Sequence, residues 1–137
     1  MIFALLIQFA AGMLVNLFTT IPGGHPGSQP SDYFAGSFDS IGWAITQSGL
    51  PALAFHTAWG LLLAVTGVVL ILLARPVGMR SVTVAAVLGF LFIVGAGFNG
   101  ASFLDFNADY SSMIMATLFG LAVVSYSVVL FLLPVEA

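Results

Sequence analysis

PALAFHTAWGLLLAVTGVVLILLARPVGMRSVTVAAVLGFLFIVGAGFNGASFL, residues 51–104, contains two apolar stretches separated only by the turn RPVGMR. Residues 51–74 and 81–104 contain no Asp, Glu, Lys or Arg, and each exceeds the ~20 helical residues needed to cross a hydrocarbon layer. They read as two spanning helices joined by a tight turn. Outward from this hairpin, residues 2–21 and 111–133 repeat the character of the pair. The expectation is an all-α integral membrane protein, a four-transmembrane-helix bundle forming a single membrane domain over residues 1–137.

Composition supports that class independently. Hydrophobic residues make up 61% of the chain and charged residues 5%, far below the ~25% charged of a soluble domain, so a water-soluble fold is excluded. The absence of lysine removes Schiff-base chemistry, and the absence of cysteine removes disulfides, thiol redox work and zinc-thiolate sites. The start, MIFALLIQFAAGMLVNLF, has no basic n-region and is too long for an h-region, so it reads as the first helix rather than a cleaved signal.

Orientation rests on Arg75 and Arg80, the only cationic side chains besides the histidines. Short basic loops stay cytoplasmic, which predicts a plasma-membrane protein with both termini inside. The connections containing Asp32, Asp39, Asp105 and Asp109 then lie outside, giving an acidic outer face. Pro22 and Pro134 are placed to end the first and fourth helices, Pro51 suits a first helical turn, and Pro76 with Gly78 suits the inner turn. Asp109 or Ser111 is placed to cap the fourth helix.

The connection from Pro22 to Leu50 has 29 residues, and loops beyond ~15 residues usually carry structure of their own. Phe34, Phe38, Ile41 and Ile45 recur there at helical spacing, with Ser37, Asp39, Ser40 and Gln47 turned away from that stripe. Residues 32–48 are therefore expected to form a short amphipathic interfacial helix in the first outer loop, with Tyr33 and Trp43 at the headgroups. The two hairpins also share a pattern. Thr57/Thr117, Gly60/Gly120 and Leu61/Leu121 repeat at a fixed offset, and Gly12-x-x-x-Asn16 matches Gly95-x-x-x-Asn99, which admits an internal duplication.

Small residues form a stripe on each span: Ala4, Gln8, Gly12 and Asn16 on the first; His56, Gly60, Ala64 and Gly67 on the second; Ala85, Gly89, Ala96 and Gly100 on the third; Ser112, Ala116 and Gly120 on the fourth. Such faces are expected to point inward, because close backbone approach holds helices together in lipid. The other reading of the stripes is a slot for a flat ligand such as haem or a quinone head.

Asn16, His56 and Asn99 each lie five residues from the outer limit of their runs, a common depth of ~7.5 Å. A polar layer is expected there, with Met113 and Met115 entering from the fourth helix and His25 above. As structure it is an interhelical hydrogen-bond layer. As function it is a ligand site open to the outside, built from His56, Asn16 and Asn99. His56 with His25 or Met115 has the donor types for b-type haem ligation, and His25, His56, Asp105 and Asp109 have those for a borderline metal. The last loop, DFNADYS, places oxygens at alternate positions but lacks the glycine and closing glutamate of a calcium loop, so it reads as a turn and helix cap.

Other classes are less well supported. None of the four runs contains Asp, Glu, Lys or Arg, so no coupling site for ion-driven transport is apparent. Hydrolase chemistry needs a nucleophile, base and acid together, and Ser102, Ser111 or Ser112 beside His56 is a constellation any polar helix end could produce. Two arginines and an acidic outer face exclude nucleic acid. Four spans with a long first outer loop are similar in layout to claudin-like proteins, whose paired cysteines this chain lacks, and layout alone implies no activity. The sequence thus points to a small non-catalytic binding or accessory subunit, in contact with the lipid bilayer and with a larger membrane complex or further copies of itself. A haem-bearing electron-transfer protein is the alternative.

Overall fold

The computed structural model describes residues 1–133, so the expectation for Pro134 lies outside the described residues. The regular structure of these residues is helical, with no strand among them: α1 (Ile2–Phe18), α2 (Tyr33–Thr46), α3 (Pro51–Ala74), α4 (Arg80–Phe106) and α5 (Asp109–Leu132), with a 3-10 turn at Arg75–Val77. Three segments, Pro51–Val77, Arg80–Phe106 and Asp109–Leu132, are long and apolar enough to cross a membrane. The chain is thus an α-helical membrane protein.

Local chemistry sets the helix ends. Pro51 occupies the first turn of α3, where its missing N–H costs no helical bond. Gly78 takes a left-handed φ of 74° after the 3-10 turn, a conformation glycine adopts without a steric penalty. Asn107 ends α4 in the left-handed region, its N–H donating to Phe103 O at 2.8 Å. The cap of α5 differs from expectation. Ala108 occupies the cap position without a side-chain bond, Asp109 lies in the first turn, and Ser111 is buried. Asp109 there still favours the positive end of the helix dipole.

α1 is shorter than the apolar run that predicted it. It stops at Phe18, and Thr19 is extended at φ −119° and ψ 120°. Thr19, Thr20 and Ile21 are β-branched, and Ile21 precedes Pro22, which disfavours helical backbone at that residue. At 17 residues α1 is ~25 Å long, against ~40 Å for the 27 residues of α4.

Three apolar layers stack along the bundle. At the α2 end, Trp43, Ala44, Leu53 and Leu104 pack with Val15, Ile21 and Leu50. The central layer draws on all four long elements, as Leu5, Leu63, Ile93, Ala122 and Tyr126. At the arginine end, Ala74, Val82 and Ala86 pack with Ile71, Val129 and Leu132, without α1. Met1 and Ile2 already lie against the central layer, so α1 begins level with the middle of α3. α4 and α5 form the most extensive helix pair.

Most of the expected stripes do face neighbours. A Cβ on Gly89 would lie 2.7 Å from the Tyr126 ring, one on Gly12 3.0 Å from His56, and one on Gly60 3.2 Å from the Gln8 amide. The stripe on α5 is an exception. Ala116 and Gly120 are exposed, and the buried positions are Ser111, Ala122, Ser125 and Tyr126. Gly120 has nothing within 4 Å of its Cβ position while Gly60 faces Gln8, so the glycines matched in the repeat have different surroundings.

α2 forms close to where its spacing predicted, and its serine face points into the protein. Gly36, Ser37, Ser40, Trp43 and Ala44 are buried, whereas Phe34 and Phe38 are exposed. The serines turn inward because a carboxylate waits for them there.

Candidate functional site

That carboxylate belongs to Asp105, which the sequence placed in an outer loop. It lies instead in the last turn of α4 and is 2% exposed. A charge or polar group removed from water must be hydrogen-bonded to be tolerated. Ser40 Oγ donates to Oδ1 at 2.6 Å and Ser37 Oγ donates to Oδ2 at 2.9 Å. Three residues apart on α2, the two hydroxyls share a helix face and reach one oxygen each. The backbone N–H of Gln29 donates to the Asp105 carbonyl at 2.8 Å. Both ends of the residue are thus held from the segment that precedes α3.

That segment, residues 19–32, is strapped over the cluster. Gly27, at φ +90°, lies where any Cβ would collide with Ser40 and Gly36, and Pro30 lies directly on Gly36. His25 stacks on Trp43 with ring centroids 4.2 Å apart and planes 11° from parallel. Its Nδ1 is 2.8 Å from Pro26 O and its Nε2 is 3.2 Å from Leu104 O. Asp32 caps α2, accepting from Ala35 N at 2.8 Å. Tyr33 bonds to Ser102 Oγ at 2.6 Å and to Phe98 O at 3.3 Å. Beside the strap is a cavity of about 200 Å³ lined by Ile21, Pro22, Gln29, Leu104, Asp105 and Asn107, among others.

The polar residues expected at a common depth occupy separate environments. His56 packs on Gly12 across the α1/α3 contact, and one turn along Gln8 packs on Gly60. His56 Nδ1 and Gln8 Oε1 are both buried without a hydrogen-bond partner. Asn99 donates to its own helix, Nδ2 to Gly95 O at 2.9 Å, and Asn16 is exposed. Among the described residues no hydrogen bond joins the three. A polar side chain on a helix can satisfy itself on the carbonyl four residues back, as Thr66, Thr117, Ser125 and Ser127 also do here.

The ligand sets considered for haem and metal are likewise dispersed. Both ring nitrogens of His25 face main-chain carbonyls, and Met115 packs with its sulfur against Gly100. His25 as placed therefore does not fit an axial haem ligand. Asp105 is engaged by its two serines, and Asp109 stands in the first turn of α5. Among the described residues no three His, Asp or Glu side chains are grouped to hold a metal.

The Ser37–Ser40–Asp105 cluster is the part that sequence reading missed. A signal was present, since Gly36, Ser37, Ser40 and Ala44 form a small-residue face on α2 like those read as packing faces on the spans. Compared with known proteins, the chain matches no family model, no curated protein and no solved structure.

Proposed function

We propose that the chain is a four-helix integral membrane subunit of the plasma membrane with both termini cytoplasmic, and that it binds or supports other membrane components without catalysing a reaction. In this reading α1 joins the three long helices in the bilayer, and α2 with residues 19–32 forms an interfacial cap on the outer side. The observation that carries it is the contrast between a hydrogen-bonded polar cluster under α2 and an apolar exterior along the helices. Asp105, Ser37 and Ser40 satisfy one another, while Phe3, Phe18, Phe98, Leu130 and Phe131 are exposed along the helices. Such a surface suits lipid or the helices of a larger complex.

We place the polar ligand site of this reading at His56 with Gln8, rather than at a layer shared with Asn16 and Asn99. The partnerless Nδ1 and Oε1 support it, because buried polar atoms left unpaired are uncommon. A small group that bonds both atoms would complete the α1/α3 contact. Native electrophoresis of tagged protein extracted in mild detergent, with an absorption spectrum of the same sample, tests the proposal. The expected result is a colourless species well above the mass of one chain in its micelle, with a defined partner subunit or further copies of the chain. A Soret band would establish the haem alternative, and a lone colourless monomer would remove the accessory role.

A further inference from the structure

His25 sits in an unusual hydrogen-bonding position. Pro26 O lies 2.8 Å from Nδ1 and Leu104 O lies 3.2 Å from Nε2. Both partners are carbonyls and only accept. A neutral imidazole carries a single N–H, so one nitrogen would present its lone pair to a carbonyl lone pair. Both bonds exist together only when the ring carries two protons. The Trp43 ring, stacked at 4.2 Å, presents the electron-rich face that a cationic ring prefers.

From this geometry we infer that His25 is a proton-operated latch, fastening the 19–32 strap to the end of α4 when doubly protonated and releasing it when neutral. The two bonds have different roles. The bond to Pro26 is local to the strap, while the bond to Leu104 links residues 79 apart in sequence and crosses to the wall of the 200 Å³ cavity, which Leu104 and Gln29 help to line. In the neutral ring a single N–H must choose between them. When the local bond takes it, the strap loses its side-chain tie to α4 and keeps the Gln29 N–H to Asp105 O bond.

The groups facing the ring are the non-titrating Trp43 on α2, the Leu104 carbonyl on α4, and Pro26 O on the strap. The ionisable side chain in this network is Asp105, which takes the Ser40 hydroxyl proton at 2.6 Å, while Pro26 O lies 3.5 Å from the same oxygen. Asp32 and Asp39 of α2 are exposed. Both arginines are at the opposite end of the bundle, so neither opposes the cation. Imidazoles ordinarily change charge between about pH 5 and 8, and the latch is closed on the acid side of that range.

The chain has two tryptophans, so Trp59→Phe leaves Trp43 as sole reporter in the full-length protein in nanodiscs. Its emission is followed from about pH 5 to 8 alongside hydrogen exchange of the Ser28 and Gln29 amides, corrected for the intrinsic pH dependence of exchange. The latch predicts quenched Trp43 emission in acid, a single step upward as pH rises, and exchange faster by about tenfold across the same step. His25→Gln, which bonds without titrating, should abolish both changes. Asp105→Asn, which leaves the ring and both carbonyls in place, should retain both. A step that survives in His25→Gln, or a Trp43 step with no change in exchange, would overturn the latch.

Discussion

Ser40 and Asp105, 65 residues apart in sequence, share a 2.6 Å hydrogen bond at the end of the bundle that α2 covers. The short O–H···O distance is typical of a charge-assisted bond, and both residues are almost fully buried. This contact orients α2, because it determines which face of that helix points inward.

Ser40→Ala should therefore be costly. Leaving one carboxylate oxygen without its donor is expected to lower stability by about 2 kcal/mol, read as a lower midpoint of thermal unfolding in detergent. In an Asp105→Ala background the same substitution should cost little, since no buried acceptor remains. Equal losses in both backgrounds would mean that the two side chains are not coupled.

Gly89 and Gly120 form a matched test of packing. Gly89→Ala puts a methyl 2.7 Å from the Tyr126 ring, and overpacking of that kind costs about 1–3 kcal/mol. Gly120→Ala enters open space and should be neutral or slightly stabilising. Reversal of that order in unfolding assays would place Tyr126 elsewhere.

The topology proposal predicts labelling sidedness in this cysteine-free chain. A cysteine at exposed Asp39 should react with an impermeant thiol reagent added outside intact cells, and one at Met79 should react only after permeabilisation. The opposite pattern would invert the bundle.

If α2 lies at the interface with Phe34 and Phe38 toward lipid, spin labels at those two positions should be relaxed strongly by oxygen and weakly by a water-soluble nickel chelate. A label at Asp39 should show the reverse. Equal responses at all three positions would remove α2 from the membrane surface.

Sequence gave good access to the spans and poor access to the cap, for a physical reason. The runs 51–74, 81–104 and 111–133 correspond closely to α3, α4 and α5, because length and apolarity suffice to identify a membrane helix. α2 was legible from the spacing of Phe34, Phe38, Ile41 and Ile45, but its inward face was not. The spacing put Ser37 and Ser40 opposite the apolar stripe, but nothing in it showed that they would be buried against Asp105. Asp105 itself looked like loop because it falls one residue past the apolar run. The shared depth of Asn16, His56 and Asn99 was a coordinate along the helix axes only. Direction around each axis decides contact, and it leaves Asn16 exposed and Asn99 bonded to Gly95.

α4 is a single uninterrupted helix of 27 residues with no proline between Arg80 and Phe106, and at ~40 Å it outlasts a hydrocarbon layer of ~30 Å. Its C-terminal turn holds Asp105 and, through it, α2. The rod therefore acts as a lever. With no kink to absorb a tilt at the arginine end, a 10° inclination would carry the far tip sideways by roughly 7 Å, given the rise per residue, and would move the cap with it. A bilayer that thickens or thins, and so changes the tilt of its helices, would be felt at the opposite surface as a sideways displacement of Phe34 and Phe38.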